Sequence, residues 1–321
     1  MDERFSIGAP PVSIARALPP ESASARTLRR HASTGAMARL RPGAFAPADW
    51  WADATSAQRL AARIAAVSRT RMHEPVFSHE SAALLWGLPI AGRWPDAVDL
   101  ADVRGTTPRS RGGIRWHRGA IDPEDVVRIG GLWVTGLERT LLDIARSREF
   151  ASAVPALDHG THPRIILPGG VRAPGAVKAR LLERIEAEGV RRASRRASVA
   201  ISFSDARADS PGESISRVNI HRLGFPPPDL QVAFERPDGG RDIVDFDWPE
   251  QGMFGEFDGF GKYVRQEFTH GRSMEQVLWE EKLREDRVRM HRPRGARWGW
   301  AIAIDPMLLR QRLLTAGLRP R

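Results

Sequence analysis

Five acidic residues in the last third of the chain stand where strand and helix geometry would gather carboxylates: Glu213, Asp245, Asp247, Glu256 and Asp258. Alternate side chains of a strand share a face, so a strand over Asp242 to Trp248 points Val244, Phe246 and Trp248 one way and Asp245 and Asp247 the other. The same rule in a strand over Met253 to Asp258 places Glu256 and Asp258 together, with Phe257 opposite. Converging carboxylates repel one another unless a cation sits between them, and a hard ion such as Mg2+ is the direct solution. Such an ion polarises a phosphoryl oxygen and lowers the pKa of a bound water, which is the chemistry of phosphodiester hydrolysis. A lysine suits the task of orienting or deprotonating that water, because burial can lower its pKa while a guanidinium stays charged. Lys262 and Lys282 are two of only three lysines, the third being Lys178. The expected geometry is specific: the carboxylates of Asp245 and Glu256 roughly 4 to 6 Å apart, within reach of one ion, beside Glu213.

Each residue also has an ordinary structural explanation. Glu213 occupies the fourth position of Ser210-Pro211-Gly212-Glu213, a capping-box pattern that opens a helix stopped by Gly224. Asp247 before Trp248-Pro249 and Asp258 before Gly259 are common turn-entry choices. Lys282 has Glu281 and Glu285 as rival partners along its own helix. For Asp245 and Glu256, flanked by apolar strand residues, the ordinary explanation is weakest, because unpaired carboxylates within strands are costly.

The elements that must position these residues lie in a chain of 321 residues, long enough for about two domains. There is no cysteine, so disulfides, thiolate zinc sites and thiol catalysis are excluded and hard cations remain the natural metals. A formal charge of +10 favours polyanionic partners. The 49 basic residues are nearly all arginine, however, as a coding bias toward G and C would also produce. No run approaches the roughly 18 apolar residues of a membrane helix, and the opening Met1 to Pro19 is broken by charges and prolines. The expectation is a cytoplasmic protein that is neither spanning nor secreted.

From Ser22 to Pro47 no acidic residue occurs, while Arg26, Arg29, Arg30, Arg39 and Arg41 recur. A helix over Ser24 to His31 would align Arg26, Arg29 and Arg30 on one face, and Ala38 to Ala46 reads as two strands around the Pro42-Gly43 turn. A basic helix followed by a basic hairpin has the form of a winged helix; a solvated arginine-rich entry segment is the competing reading. Further on, Gln58 to Val67 has helical periodicity, and Ser78 opens a helix that Gly87 ends. Ala97 to Val103 and Ile114 to His117 read as strands. Thr135 and Glu138 form a capping-box pattern before a helix burying Leu137, Leu141, Leu142 and Ile144. After the Pro/Gly-rich stretch from Pro163 to Pro174, one arginine-rich helix is expected over Ala176 to Ile201, as an arm joining domains or a nucleic-acid contact.

Certain runs resemble known families. SPGESISR at Ser210 to Arg217, VDFDWPE at Val244 to Glu250, GEFDGFGKY at Gly255 to Tyr263 and EEKLREDRVR at Glu280 to Arg289 resemble the C-terminal domain of actinobacterial proteins related to very-short-patch-repair endonucleases. That resemblance implies a PD-(D/E)XK restriction-endonuclease-like α/β sandwich, with the first-helix acid at Glu213, the strand aspartate at Asp245 and the E-x-K motif at Glu256-Phe257-Asp258. Aspartate therefore stands in the family's lysine position, and Lys262 or Lys282 would have to replace it, or the fold has lost the cutting. The N-terminal half resembles AbiEi-type antitoxins of type IV toxin-antitoxin systems. The residues that carry this are Arg39 to Gly43, SHESAALLWGLP at Ser78 to Pro89, GIRWHRG at Gly113 to Gly119 and VTGLERTLLDIA at Val134 to Ala145. It implies a winged-helix DNA-binding segment followed by an α/β domain, acting as a transcriptional autorepressor.

The sequence thus predicts a mixed α/β protein in four parts: a leader and winged-helix-like segment over 1–47, an AbiEi-like α/β domain over 48–175, a linker helix over 176–204 and a nuclease-like domain over 205–321. The function it implies is that of a DNA-binding regulator whose nuclease fold no longer cuts. A Mg2+-dependent endonuclease and a module that counters a cognate toxin without touching DNA are the alternatives.

Overall fold

The acid-free stretch folds as a helix and a hairpin. In this computed structural model the described residues are 10–15, 23–71, 73–103, 105, 109–119, 121–187, 189, 192–259 and 274–321. Within them the chain is mixed α/β and divides into two compact units, 4–203 and 204–321.

The first unit opens with β1 (Ser13–Ile14), α1 (Ala23–Ser33), β2 (Met37–Arg41), β3 (Ala44–Pro47), α2 (Ala48–Asp53) and α3 (Ser56–Thr70). The strands form a small antiparallel sheet in the order β1-β3-β2, and the β2–β3 reversal is made at Pro42-Gly43 with Gly43 at φ 81°. α3 begins with a reciprocal capping box between Thr55 and Gln58, so it starts two residues before the expected Gln58 and runs three beyond Val67.

Next come β4 (Val76–Phe77), α4 (His79–Leu85), β5 (Val98–Ala101), β6 (Ile114–His117), β7 (Val126–Ile129), β8 (Leu132–Thr135), α5 (Leu137–Ser147) and α6 (Phe150–Thr161). The five strands order as β6-β5-β4-β8-β7, with β4 parallel to β8 and β5 parallel to β6. The Thr135–Glu138 capping box does not form. α5 starts at Leu137 behind Gly136, Thr135 bonds instead to the Thr140 hydroxyl at 2.8 Å, and Glu138 faces Arg180 and Arg184.

A two-stranded ribbon of β9 (Arg164–Ile166) and β10 (Arg172–Pro174) follows, then α7 (Lys178–Ala187) and α8 (Arg192–Phe203). These two helices replace the single linker helix expected over 176–204. Leu181, Ile185, Ala197, Ala200 and Ile201 join the same apolar cluster as Leu141, Ile144 and Leu157. Their apolar stripe packs into this core while Arg180, Arg195 and Arg196 are exposed, the usual division of an amphipathic helix, and Arg184 pairs with Asp125.

The second unit contains α9 (Pro211–Arg222), β11 (Asp229–Glu235), β12 (Arg241–Trp248), β13 (Met253–Phe257), α10 (Met274–His291), β14 (Arg294–Trp298), α11 (Trp300–Ala303) and α12 (Pro306–Thr315). The sheet order is β11-β12-β13-β14, antiparallel except for the parallel β13–β14 pair that α10 connects. One face buries Phe246, Trp248, Met253, Phe257 and Trp298 beneath Ile220 of α9 and Leu309 and Leu313 of α12. The other packs Val244 and Phe254 against Val288 of α10. The result is an α/β sandwich. No helix among the described residues is long and apolar enough to cross a membrane.

Candidate functional site

Strict alternation along β12 fails at one place, and that place is the site. Val244 belongs to the α10-side cluster and Phe246 to the α9-side cluster, although two residues apart on one strand they should share a face. Opposite the break stands Gln231, between the Leu230–Phe246 and Val232–Val244 pairs, with φ 53°. A left-handed non-glycine residue inside a strand costs of order 1–3 kcal/mol and persists only where surrounding contacts demand it.

Those contacts are acidic. Gln231 Nε2 donates to Glu213 Oε2 at 2.9 Å and to Asp245 Oδ1 at 3.3 Å. Phe257 N–H donates to Asp245 Oδ2 at 2.7 Å, which ties β12 to β13 through a side chain. Glu213 is placed by the start of α9. Ser210 Oγ accepts from Glu213 N–H at 3.2 Å and donates to Oε1 at 2.8 Å, while Oε2 accepts from Asp209 N–H at 3.0 Å. Ser210 thus caps the helix as expected, while the reciprocal bond of Glu213 goes to the Asp209 N–H in place of the Ser210 N–H.

The helix start can approach so closely because Gly212 has no side chain: a Cβ there would lie 2.0 Å from Phe257 Cζ. Gly212→Ala is accordingly expected to push the first turn off β13, costing about 1–3 kcal/mol as overpacking in a dense core does. Urea denaturation measures the loss.

Glu213 is buried, and burial first, then the neighbouring Asp245, raises its carboxyl from 4.5 to about 8. Between those two values the unfolded chain has released a proton that the folded chain keeps, so this group's contribution to stability falls as pH rises through the window. Glu213→Gln should remove that fall. Urea midpoints measured from pH 5 to 8 should decline more steeply in the wild type than in the variant.

Glu256 has different partners. Arg297 Nε lies 2.7 Å from its Oε2, and Arg284 Nη2 is hydrogen-bonded to its Oε1. Both guanidiniums also pair with Glu281. Burial pushes the Glu256 carboxyl up while Arg284 and Arg297 pull against it. Asp247 and Asp242 are likewise taken, by Arg292 at 2.6 Å and Arg287 at 2.7 Å. Asp258 follows β13 with its N–H bonded to the Trp298 carbonyl. Lys282 is exposed on α10, its Nζ 5.7 Å from the centre of the Trp279 ring, while Glu281 and Glu285 pair with arginines. Lys262 lies outside the described residues.

The expected Mg2+ centre shared by Asp245 and Glu256 can be tested on these contacts. A divalent cation needs free carboxylate oxygens and no competing charge. Both oxygens of Glu256 face guanidiniums, so Glu256 does not fit that role in this arrangement. Among the described residues no group of three or more His, Asp or Glu side chains is arranged to hold a metal ion. What the fold does gather is Glu213, Gln231 and Asp245. Gln231 carried no signal in the sequence, since its role comes from its backbone conformation. Arg284 and Arg297 approach Glu256 from 28 and 41 positions further along the chain.

In the first unit, Arg26 and Arg30 are exposed on α1, Arg39 is exposed on β2, and the Arg29 side chain is outside what is described. Arg41 is half-buried. Its Nε and Nη1 are covered by protein without a hydrogen-bond partner, and burial followed by the charge of Arg71 lowers its pKa. Arg71, at the end of α3, has its guanidinium 5.0 Å above the Trp116 ring.

No family model matches the chain, and no curated protein matches it. Among solved structures, the crystal structure of the RV2827C protein from Mycobacterium tuberculosis is similar at 14% identity and a TM-score of 0.37, over 71% of this chain and 85% of that one.

Proposed function

We propose that the protein is a DNA-binding regulator of the AbiEi antitoxin type, in which a nuclease-like sandwich is retained without cutting. The observation that carries this reading is Arg41. A guanidinium with covered, unpartnered donors beside a second guanidinium is electrostatically incomplete, and burial makes such a deficit costly. A phosphate at the open side of this pair of guanidiniums would supply the opposite charge. Arg41 stands at the turn of a basic hairpin, with exposed Arg39 on the same strand and Arg26 and Arg30 on the preceding helix. Backbone phosphates are the polyanion such a surface would meet.

Fluorescence anisotropy with a labelled duplex tests the reading. Arg41→Ala and Arg71→Ala should each weaken binding by several-fold at 0.1 M salt, similarly for unrelated sequences. Unchanged affinity in both would defeat it.

The Glu213–Asp245 pair supports a second reading, a Mg2+-dependent endonuclease. That reading requires a third metal-facing acid and a lysine for the water, the roles of Glu256 and of Lys262 or Lys282. Supercoiled plasmid incubated with Mg2+ or Mn2+ separates the two: the regulator leaves it intact, and the endonuclease nicks it. A cognate toxin, as in type IV systems, is the protein partner this proposal implies.

A further inference from the structure

Three sequence runs singled out in the first unit, SHES, GIRWH and LERTLLD, lie far apart in the chain and meet around two imidazoles. His79 and His117 stack face to face, ring centres 3.4 Å apart and planes within 16°. His117 Nε2 is 2.7 Å from Asp99 Oδ1, and Asp99 is wholly buried in the middle of the sheet. Arg115 Nη1 is 3.3 Å from the same oxygen. His79 Nδ1 is 3.6 Å from Asp143 Oδ2, which Arg139 also binds.

None of this is needed for an ordinary core. His79 holds φ 47°, an uncommon conformation for a residue with a side chain, at the first position of α4. Strain at that point presents the ring to His117. Asp99 Oδ2 is buried without a hydrogen-bond partner, a cost an apolar residue would avoid. His117 remains about a quarter exposed and Arg115 about half, so the cluster has an open side.

A metal ion does not suit the pair. Two imidazoles on one ion radiate from it through bonds of about 2 Å, so their rings cannot lie flat against each other. Arg115, about half exposed, adds a guanidinium on the open side of the cluster. An anion meets the opposite conditions. With Nε2 committed to Asp99, Nδ1 is the ring nitrogen of His117 left to meet an anion. His79 stays neutral, its pKa lowered to about 3 by burial and then by His117.

We propose that His117 and Arg115 bind the phosphoryl group of a phosphate ester, with Asp99 and His79 as positioning residues behind them. The proposal is independent of the basic hairpin. The ester could be a small metabolite or the backbone of a nucleic acid, and the chemistry recognised is the same.

The test follows the His117 ring nitrogens by NMR in the full chain while inorganic phosphate, then adenosine monophosphate, then an unlabelled duplex is added. Phosphate is expected to shift the His117 signals along a saturating curve that equal chloride does not reproduce. His117→Gln, read through the Arg115 side-chain signals, and Arg115→Ala, read through His117, should each raise the apparent Kd about tenfold, or 1.4 kcal/mol. Asp99→Asn should weaken binding as well. Should it fail to fold, the two exposed-side variants still decide the matter. Tighter response to the monophosphate identifies a small ligand, and tighter response to the duplex identifies a backbone. Absence of any saturating shift with all three probes, or the same shift with chloride, overturns the proposal.

Discussion

Simultaneous replacement of Arg29, Arg30 and Arg41 by alanine is expected to weaken duplex binding roughly 10²- to 10³-fold at 0.1 M salt and to reduce the slope of log affinity against log salt by about 2.7. The figure follows from counterion release, in which each neutralised phosphate contributes about 0.9 to the slope of B-form DNA. Loss should be similar for different sequences, because phosphate contacts position a protein and base contacts specify. Arg41 should contribute more than Arg30. Its side chain is already half-buried, so less rotamer freedom remains to be lost on binding than for Arg30, which is exposed on α1. An unchanged slope in the triple variant would show that the acid-free segment is only a solvated entry strand.

The other large effect lies in the second unit. Glu256→Ala should destabilise that unit by about 3–5 kcal/mol, the usual cost of removing one partner from a buried ion pair. It leaves Arg284 and Arg297, each about a quarter exposed, to share Glu281, with Glu285 3.7 Å from Arg297 as the other acid. A sequence reading that treats Glu256 as a metal ligand expects the opposite, an inactive variant with folding retained. Thermal or urea denaturation distinguishes the two directly: a small loss of stability would return Glu256 to the list of candidate ligands. Lys282→Ala, by contrast, removes an exposed side chain resting over Trp279 and should change stability by less than about 0.5 kcal/mol.

Much of the fold was legible where local chemistry decides it. The Pro42-Gly43 hairpin, the β6 strand over Ile114–His117 and the helix opened by Ser210 depend on residues close in sequence, and the structure places them as read. Thr135–Glu138 had an equally good local pattern and failed, because Thr140 supplied a buried hydroxyl partner and Arg184 an opposite charge. The candidate site was less legible. Alternation predicts a common face for Asp245 and Asp247, and it is valid only while both strands remain regular. Gln231 at φ 53° interrupts that regularity from the neighbouring strand, and no pattern in LQVAFE announces it. Long-range charge pairing was hidden for a different reason. In a chain with 49 basic residues, nearly all arginine, the few guanidiniums that seek out buried acids cannot be told from the many that remain in solvent.

The parallel pairing of β13 with β14 also bears on how the chain is made. Met253 finds its partner at Arg294 only after α10 has been synthesised, whereas β11, β12 and β13 pair through short antiparallel connections. A sheet of these three strands alone would have β13 as an open edge, and its sequence MFGEF is apolar at every position but one and wholly buried in the finished fold. An unpaired apolar edge is a template for pairing with another chain. Non-local partners reward the chain only late, so this edge closes only when β14 arrives. Glu256, the single charge on that strand, would oppose intermolecular pairing of such an edge, and in the finished fold Arg297 on β14 pairs with it.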